Sequence, residues 1–183
     1  MNLPLPIPRF ALLRHPKPDI APGICYGRSN LGLAPEGHAA IAAITARLAH
    51  FAPTAILTSP ALRCRLLADA IGTAHHLTPT IDPALHEIDF GAWEGMAWHD
   101  IPRPALDRWA TDPLDFAPPG GESGAALLAR ITTTIAARLR EMPGAVIIVS
   151  HGGPLKLLIP LLRGEPPDLL AHAPAQGSIT LIP

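Results

Sequence analysis

The chain has 183 residues, of which 48% are hydrophobic and 16% are charged, and its formal net charge is −1. This length fits one compact domain, 1–183, and the composition is too apolar and too weakly charged for an intrinsically disordered protein. Because neither sign of charge dominates, the composition gives no reason to expect binding to nucleic acid or to an anionic membrane.

Cysteine usage and the N-terminal residues indicate where the protein resides. Cys25 and Cys64 are the only cysteines, which is too few for a disulfide framework or a zinc site with four cysteine ligands. The first residues, MNLPLPIPRF, lack the charged and then apolar segments of a signal peptide. No apolar run approaches the roughly 18 residues that cross a bilayer. We therefore expect a soluble cytoplasmic protein.

The first elements of the chain are a strand and a helix. The apolar run 10–13 is followed by Pro16, which disfavours helical backbone at the residue before it. A buried strand is therefore expected to end at Arg14 and His15. A helix is expected from Glu36 to about His50. Its apolar residues at helical spacing are Ile41, Ile44 and Leu48.

A second strand and helix follow. The run 55–58 is a candidate strand, and Ser59 and Pro60 after it suit the N-cap and the first position of a helix. That helix should extend towards His75. The stretch 78–119 mixes prolines, tryptophans and short apolar pieces, and we expect it to be mostly loop with one or two short helices.

The last third of the chain has the clearest pattern. A helix is expected from Glu122 to about Met142, because its apolar residues form one stripe. The stripe consists of Leu128, Ile131, Ile135 and Leu139. The run 145–150 is apolar without alternation, which is typical of a parallel strand covered on both faces. An apolar helix should follow and end before Gly164, and 178–182 should form an edge strand. This alternation predicts a three-layer α/β/α sandwich around a mostly parallel sheet.

Three of the predicted strand ends carry residues that suit phosphate chemistry. The segments are Arg14–His15, Ser59–Arg63 and Ser150–Gly153. In open α/β sheets, ligands bind at the carboxyl ends of the strands. Arginine forks and helix N-termini favour phosphate oxygens, and histidine can act as a covalent nucleophile. These segments therefore predict an anion-binding site with a reactive histidine.

Each of these residues also has an ordinary structural explanation. Arg63 could be a solvated helix residue, and this explanation suits its neighbour Arg65 better. His151 could serve a tight turn. Glu87 and Glu94 could both be exposed loop carboxylates, and for Glu94 this is the favoured interpretation.

A metal or nucleotide cofactor is not expected. His75 and His76 are adjacent, so on a helix their rings point about 100° apart, and no nearby residue completes a ligand set. No Walker loop or dinucleotide-binding motif is present. The remaining histidines outside the candidate site are interpreted as surface or loop residues: His38, His50, His99 and His172.

The candidate residues belong to five segments that occur in a characteristic order. The segments are LLRH (12–15), TSPALR (58–63), HEIDFGAWEG (86–95), GES (121–123) and VSHGG (149–153). Taken together they resemble the histidine phosphatase superfamily, in the branch that includes phosphoglycerate mutases and small phosphatases. The resemblance covers nearly the whole chain and implies a phosphoglycerate mutase-like fold.

This resemblance also implies a reaction and a role for each residue. His15 would attack phosphorus and become a phosphohistidine, with its other ring nitrogen hydrogen-bonded to a carbonyl or hydroxyl. Glu87 would protonate the departing alkoxide and then accept a proton from water. The phosphoryl oxygens would be held by Arg14, Arg63, His151 and Gly152. The implied substrate is a small-molecule phosphomonoester, and no metal or other cofactor is required.

Two positions depart from the family pattern. Pro16 stands where the family usually has glycine, and its missing N–H could reduce activity. The asparagine often found shortly after the nucleophile is absent, since residues 19–21 are Asp, Ile and Ala. Arg28 could replace it as a substrate contact, or it could be a surface charge of the loop.

Within the superfamily, the segment 23–31 is similar to the corresponding loop of α-ribazole phosphatase-like proteins of cobalamin biosynthesis, although aspartate is commoner where Asn30 stands. α-Ribazole 5′-phosphate is therefore the expected substrate. The alternatives are a phosphatase for a sugar phosphate, phosphoserine or nucleotide, and a weakly active phosphate-binding protein. A mutase is disfavoured because mutases typically carry extra segments over the site.

Overall fold

The computed structural model describes residues 9–183, so the expectation about the first residues lies outside the described part. The strands are β1 (Phe10–Arg14), β2 (Pro53–Thr58), β3 (Thr80–Ile81), β4 (Ala145–Ser150) and β5 (Ile179–Ile182). The helices are α1 (Pro35–Ala46), α2 (Leu62–His75), α3 (Arg103–Thr111), α4 (Gly124–Arg130), α5 (Ala137–Glu141) and α6 (Gly152–Arg163). Short 3₁₀ helices span Pro83–Leu85 and Gly91–Trp93.

The strands form one sheet in the order β3-β2-β4-β1-β5. Only β5 is antiparallel, and it pairs with β1 at the edge of the sheet, as predicted. In β4, Val146 and Ile148 pack into one apolar cluster while Ile147 and Val149 pack into another. The first cluster includes residues of α4 to α6, and the second includes residues of α1 and α2. The predicted three-layer sandwich is confirmed, and burial on both faces explains why β4 shows no alternation.

Two predicted helix limits are wrong. Helix α1 ends at Ala46, and 47–50 form turns rather than a last helical turn. Helix α2 begins at Leu62, not at Pro60, and Ser59 does not cap it. Its first N–H is instead bound by a side chain from a distant loop: Leu62 N donates to Asn30 Oδ1 at 2.9 Å. A tertiary contact therefore replaces the local cap that the sequence suggests.

The helix expected over 122–142 is confirmed from Gly124 to Glu141, with a π-helical segment at Ile131–Ala136 in its middle. Leu127 is fully buried, whereas the predicted Leu128 is only partly so. The buried stripe thus runs through 127, 131, 135 and 139, a spacing of four residues. A π-turn contains more residues per turn than an α-helix, which keeps positions four apart on one face.

The stretch 78–119 contains α3 and the two 3₁₀ helices, in line with prediction, and also β3, which was not predicted. With two residues, β3 is too short to show a periodic pattern. The same stretch contains an aromatic cluster. In it, Trp109 lies edge-on to Phe90 with ring centroids 5.9 Å apart, and it also contacts Trp93 and Trp98.

Within residues 9–183, no helix has both the length and the apolar character needed to cross a membrane.

Candidate active site

The sheet order brings three strand ends together. β1 pairs with β4 in parallel register, Arg14 opposite Ser150, and β2 pairs with the other edge of β4. His15 and His151, which follow β1 and β4, are therefore neighbours, with ring centroids 5.2 Å apart. Ser59, which follows β2, lies 2.7 Å from His151 through its hydroxyl. The predicted convergence at the carboxyl edge of the sheet is thus observed.

His15 is buried, and the residue that follows it determines which of its ring nitrogens carries the proton. Nδ1 lies 2.7 Å from the carbonyl oxygen of Pro16, which can only accept, so Nδ1 carries the proton and Nε2 keeps its lone pair. Burial and the guanidinium groups of Arg63 and Arg14 together lower the pKa of His15 to about 3, against the opposing effect of the Pro16 contact. His15 is therefore neutral near pH 7, as a nucleophile requires.

Pro16 enters this arrangement through its carbonyl and not through its nitrogen. The predicted backbone partner for His15 is present, and a proline supplies it as well as a glycine does because both retain the carbonyl. This contact is independent of the N–H that Pro16 lacks.

Arg63 is fully buried and has no carboxylate partner within residues 9–183. Its Nη1 donates to the carbonyl of Ser29 and its Nη2 to the carbonyl of Gly27, both at 2.7 Å. Burial lowers the pKa of Arg63, but a guanidinium remains charged at neutral pH. Its Nε is buried and has no hydrogen-bond partner among the described residues. The interpretation of Arg63 as a solvated helix residue is wrong, and its positive charge is available to an anion.

The guanidinium of Arg14 lies against the start of α6. Its Nη1 donates to the carbonyl of Pro174 at 2.7 Å, and its Nε is buried without a partner among residues 9–183. A Cβ at position 152 would lie 3.2 Å from Cζ of Arg14 and 2.9 Å from Cβ of Ala173. Glycine at 152 thus allows Arg14 to approach the N-terminus of α6, where backbone N–H groups also favour anions.

Both ring nitrogens of His151 have protein partners. Arg63 Nη2 lies 3.2 Å from Nδ1, and since a guanidinium only donates, Nδ1 accepts and Nε2 carries the proton. Nε2 then donates to Ser59 Oγ. Burial, together with Arg63 and His15, lowers the pKa of His151 well below its usual value. His151 is therefore a neutral residue that orients Arg63 in addition to lying beside His15.

Glu87 lies at the N-terminus of α6. The N–H of Gly153 points at both carboxylate oxygens, at 3.1 and 3.2 Å, and Ile88 N donates to Oε1 at 2.9 Å. A Cβ at position 153 would overlap Oε1, so only glycine allows this approach. Glu87 is partly buried and held in one orientation, which differs from an exposed loop carboxylate.

Arg130 holds the backbone that carries Glu87. Its guanidinium donates to the carbonyls of Ala84, at 2.6 Å, and Glu87, at 3.2 Å. Glu122 binds the same guanidinium through both carboxylate oxygens, at 2.7 and 2.9 Å. Glu122 belongs to the predicted GES segment, whereas Arg130 was not predicted, because a spacing of eight residues between the two gives only a weak signal.

Arg28 keeps the exposed loop position that one of its two interpretations expected, whereas Glu94 departs from its favoured interpretation. Arg28 is partly exposed and makes long ion pairs with Asp89, at 3.6 Å, and Glu122, at 3.8 Å. Glu94 is not a surface carboxylate: it accepts hydrogen bonds from Arg28 N at 2.7 Å, from Ser29 N at 2.6 Å and from Ser29 Oγ. These bonds lower the pKa of Glu94 against the opposing effect of burial. Since the Ser29 carbonyl binds Arg63, Glu94 positions Arg63 through this loop.

Other titratable groups do not form a metal site. Within residues 9–183, no group of three or more histidine, cysteine, aspartate or glutamate side chains is arranged to hold a metal ion. Cys25 and Cys64 are free thiols, and burial raises the pKa of each to about 12. Cys64 lies near His151, with Sγ 3.5 Å from Nε2, but its thiol is not ionised at neutral pH.

Residues 10–182 match the sequence model of the histidine phosphatase superfamily, branch 1. The chain belongs to this superfamily. This membership confirms the resemblance found in the five sequence segments. It agrees with the two neutral histidines and two arginines at the carboxyl edge of the sheet.

Individual relatives of this chain carry different names. A bifunctional protein of Mycobacterium tuberculosis is 35% identical over 159 residues, which are 84% of this chain and 43% of the relative. The chain thus spans less than half the length of that relative. The structure of α-ribazole phosphatase from Shigella flexneri superimposes with a TM-score of 0.84 at 28% identity, covering 93% of this chain and 87% of the other. Mycobacterial glucosyl-3-phosphoglycerate phosphatase gives a TM-score of 0.73 at 26% identity, covering 87% and 81%.

Proposed function

We propose that this chain hydrolyses phosphomonoesters through a phosphohistidine formed on His15. The observation that carries the proposal is the protonation pattern of His15: Nδ1 is bound to the Pro16 carbonyl, which leaves the Nε2 lone pair for attack on phosphorus. The new Nε2–P bond forms as the bond from phosphorus to the leaving oxygen breaks. The buried charge of Arg63 and the nearby guanidinium of Arg14 offset the negative charge of the phosphoryl group.

Glu87 is the proposed proton donor and acceptor. In the first step its protonated carboxyl gives the proton to the departing alkoxide, and in the second step the carboxylate takes a proton from the water that attacks the phosphohistidine. The hydrogen bond from Gly153 N keeps the carboxyl group at the start of α6. His151, Gly152 and Arg28 complete the proposed substrate-binding set, with His151 acting by orienting Arg63 beside the nucleophile.

The proposed substrate is α-ribazole 5′-phosphate, which would place the reaction in cobalamin biosynthesis in the cytoplasm. The resemblance of the loop 23–31 and the likeness to the Shigella flexneri enzyme support this substrate. The likeness to glucosyl-3-phosphoglycerate phosphatase supports a second candidate, a phosphatase for a sugar-containing phosphomonoester. The proposed reaction uses no metal, since arginines and backbone N–H groups supply the positive potential.

The test is the initial rate of phosphate release from α-ribazole 5′-phosphate and from a panel of sugar phosphates, phosphoserine and nucleotides, with EDTA present. His15→Ala should abolish release, whereas His38→Ala, which changes an exposed histidine on α1, should not. Wild type should also yield an acid-labile phosphoenzyme. A His15-dependent rate that is equal across the panel would retain the phosphatase and reject the substrate. Equal rates for wild type and His15→Ala, with phosphate still bound, would favour a phosphate-binding protein instead.

A further inference from the structure

A cavity of about 150 Å³ opens beside the carboxylate of Glu87. Glu87 and Gly153 are among its lining residues, so it adjoins the candidate active site. The rest of its lining is mostly apolar: Ile88, Phe90, Trp109, Pro113, Leu127 and Leu169. Because the proposed acid protonates the leaving oxygen, a space next to this acid lies on the leaving-group side of the phosphoryl group.

Two charged groups line this cavity, and each has a protein partner. The ammonium of Lys156 donates to the carbonyl of Leu169, and burial lowers the pKa of Lys156. Glu87 is bound to Gly153 N and Ile88 N. A group that is polar on all sides would place most of its hydrogen-bonding atoms against the apolar lining, which is unfavourable. An apolar group would gain from leaving water.

The volume and the aromatic lining favour a flat ring. An apolar cavity of about 150 Å³ is large enough for a benzene-sized molecule. Trp109 and Phe90, both in the lining, lie edge-on to each other at 5.9 Å, and such aromatic groups form favourable stacked or edge-on contacts with a further ring.

We propose that this cavity binds an uncharged aromatic ring carried by the leaving group of the substrate. The inference rests on the proposed phosphatase function and narrows its substrate class to phosphomonoesters whose alcohol bears such a ring. Sugar phosphates and phosphoserine, whose alcohols are polar throughout, belong outside this class.

The test compares a substrate that carries an aromatic base with one that lacks it. α-Ribazole 5′-phosphate and ribose 5-phosphate share the phosphate and the pentose, but only the first carries an aromatic base. For wild type, kcat/KM should be on the order of tenfold or more higher with the aromatic base, as expected for burying about one ring. Equal values for the two substrates would overturn the proposal.

A variant in the cavity identifies where the ring binds. Leu169 is partly buried in a segment without regular structure and contacts the cavity, so Leu169→Gln should lower the ratio of the two kcat/KM values at least threefold. Leu170→Gln is the matched control, because Leu170 is adjacent, 69% exposed and outside this cavity. It should leave the ratio unchanged. A wild-type ratio retained in Leu169→Gln would overturn the assignment of the ring to this cavity.

A binding measurement separates this inference from the proposed function. If neither substrate gives His15-dependent phosphate release, the proposed function is wrong. α-Ribazole without phosphate should still quench the tryptophan fluorescence of the protein, because Trp109 lies in the cavity wall, and the quenching should be weaker in Leu169→Gln. Absence of quenching, or equal quenching in both proteins, would overturn the proposal of a ring-binding cavity whatever the enzymatic result.

Discussion

The buried histidines of the active site should make the protein lose stability as the pH falls below neutral. The pKa of His15 is about 3 in the folded chain, because burial and the guanidinium groups of Arg63 and Arg14 disfavour the imidazolium, compared with 6.5 for an unperturbed histidine. Between these values the unfolded chain binds a proton at this position and the folded chain does not. The free energy of unfolding therefore decreases as the pH falls from 6.5 towards 3, and is unaffected by this group above pH 6.5.

The size of the loss follows from the distance below 6.5. At about pH 5, some 1.5 pH units below the unfolded value, His15 should lower the free energy of unfolding by about 2 kcal/mol, at roughly 1.4 kcal/mol per unit. At about pH 7.5 its effect should be close to zero. Burial and the neighbouring Arg63 also lower the pKa of His151 well below its usual value. His151 should therefore lower the free energy of unfolding further as the pH falls.

The assay is urea denaturation of wild type and His15→Asn at about pH 7.5 and about pH 5. Asparagine does not titrate, so the stability of the variant relative to wild type should rise by about 2 kcal/mol at the lower pH. Carboxylates common to both proteins cancel in this difference. His38→Asn measures the effect of removing an exposed histidine. A relative change below about 0.5 kcal/mol would refute the reasoning, because His15 would then titrate alike in both states.

Three further predictions concern carboxylates and their partners. Glu87→Gln should slow hydrolysis of alkyl phosphates at least tenfold more than that of an activated aryl phosphate, since only a poor leaving group needs the proton; equal losses would remove Glu87 from this role. Gly153→Ala should lower kcat about tenfold, with a smaller change in KM, because its Cβ displaces the Glu87 carboxylate; steady-state kinetics with unchanged kcat would contradict this. Glu94→Gln should lower the free energy of unfolding in urea by about 2 kcal/mol, because an amide nitrogen cannot accept from the Ser29 N–H. Glu165→Gln, at an exposed position, is its control, and equal stabilities of the two variants would argue against the role of Glu94.

Much of the fold and the strand-end residues were predictable from local pattern. The runs 10–13 and 145–150 lack alternation because both faces of β1 and β4 are buried, and Pro16 marks the end of the first strand at His15 and Arg14. The limits of α1 and α2 were less predictable. The contact that caps α2 comes from Asn30, 32 residues away in the chain, and nothing near Leu62 in sequence reveals it.

The residues that position the site were hidden from sequence reasoning for the same reason. Glu94 appears as a surface carboxylate until its contacts with Ser29, 65 residues away, are known. Arg130 reaches the carbonyl of Glu87 across 43 residues. Hydrophobic periodicity reports which face of a helix or strand is buried, and it contains no information about polar contacts between distant loops.

The amino-acid sequence determines that strands alternate with helices and that reactive residues stand at the strand ends, because both depend on short-range pattern and backbone geometry. The tertiary structure decides that β2, β4 and β1 are neighbours, which brings the rings of His15 and His151 to within 5.2 Å. It also decides the burial that lowers the pKa of both histidines and the apolar cavity beside Glu87. Dielectric environment and cavity shape arise from groups far apart in the chain, so they exist only once the chain has folded.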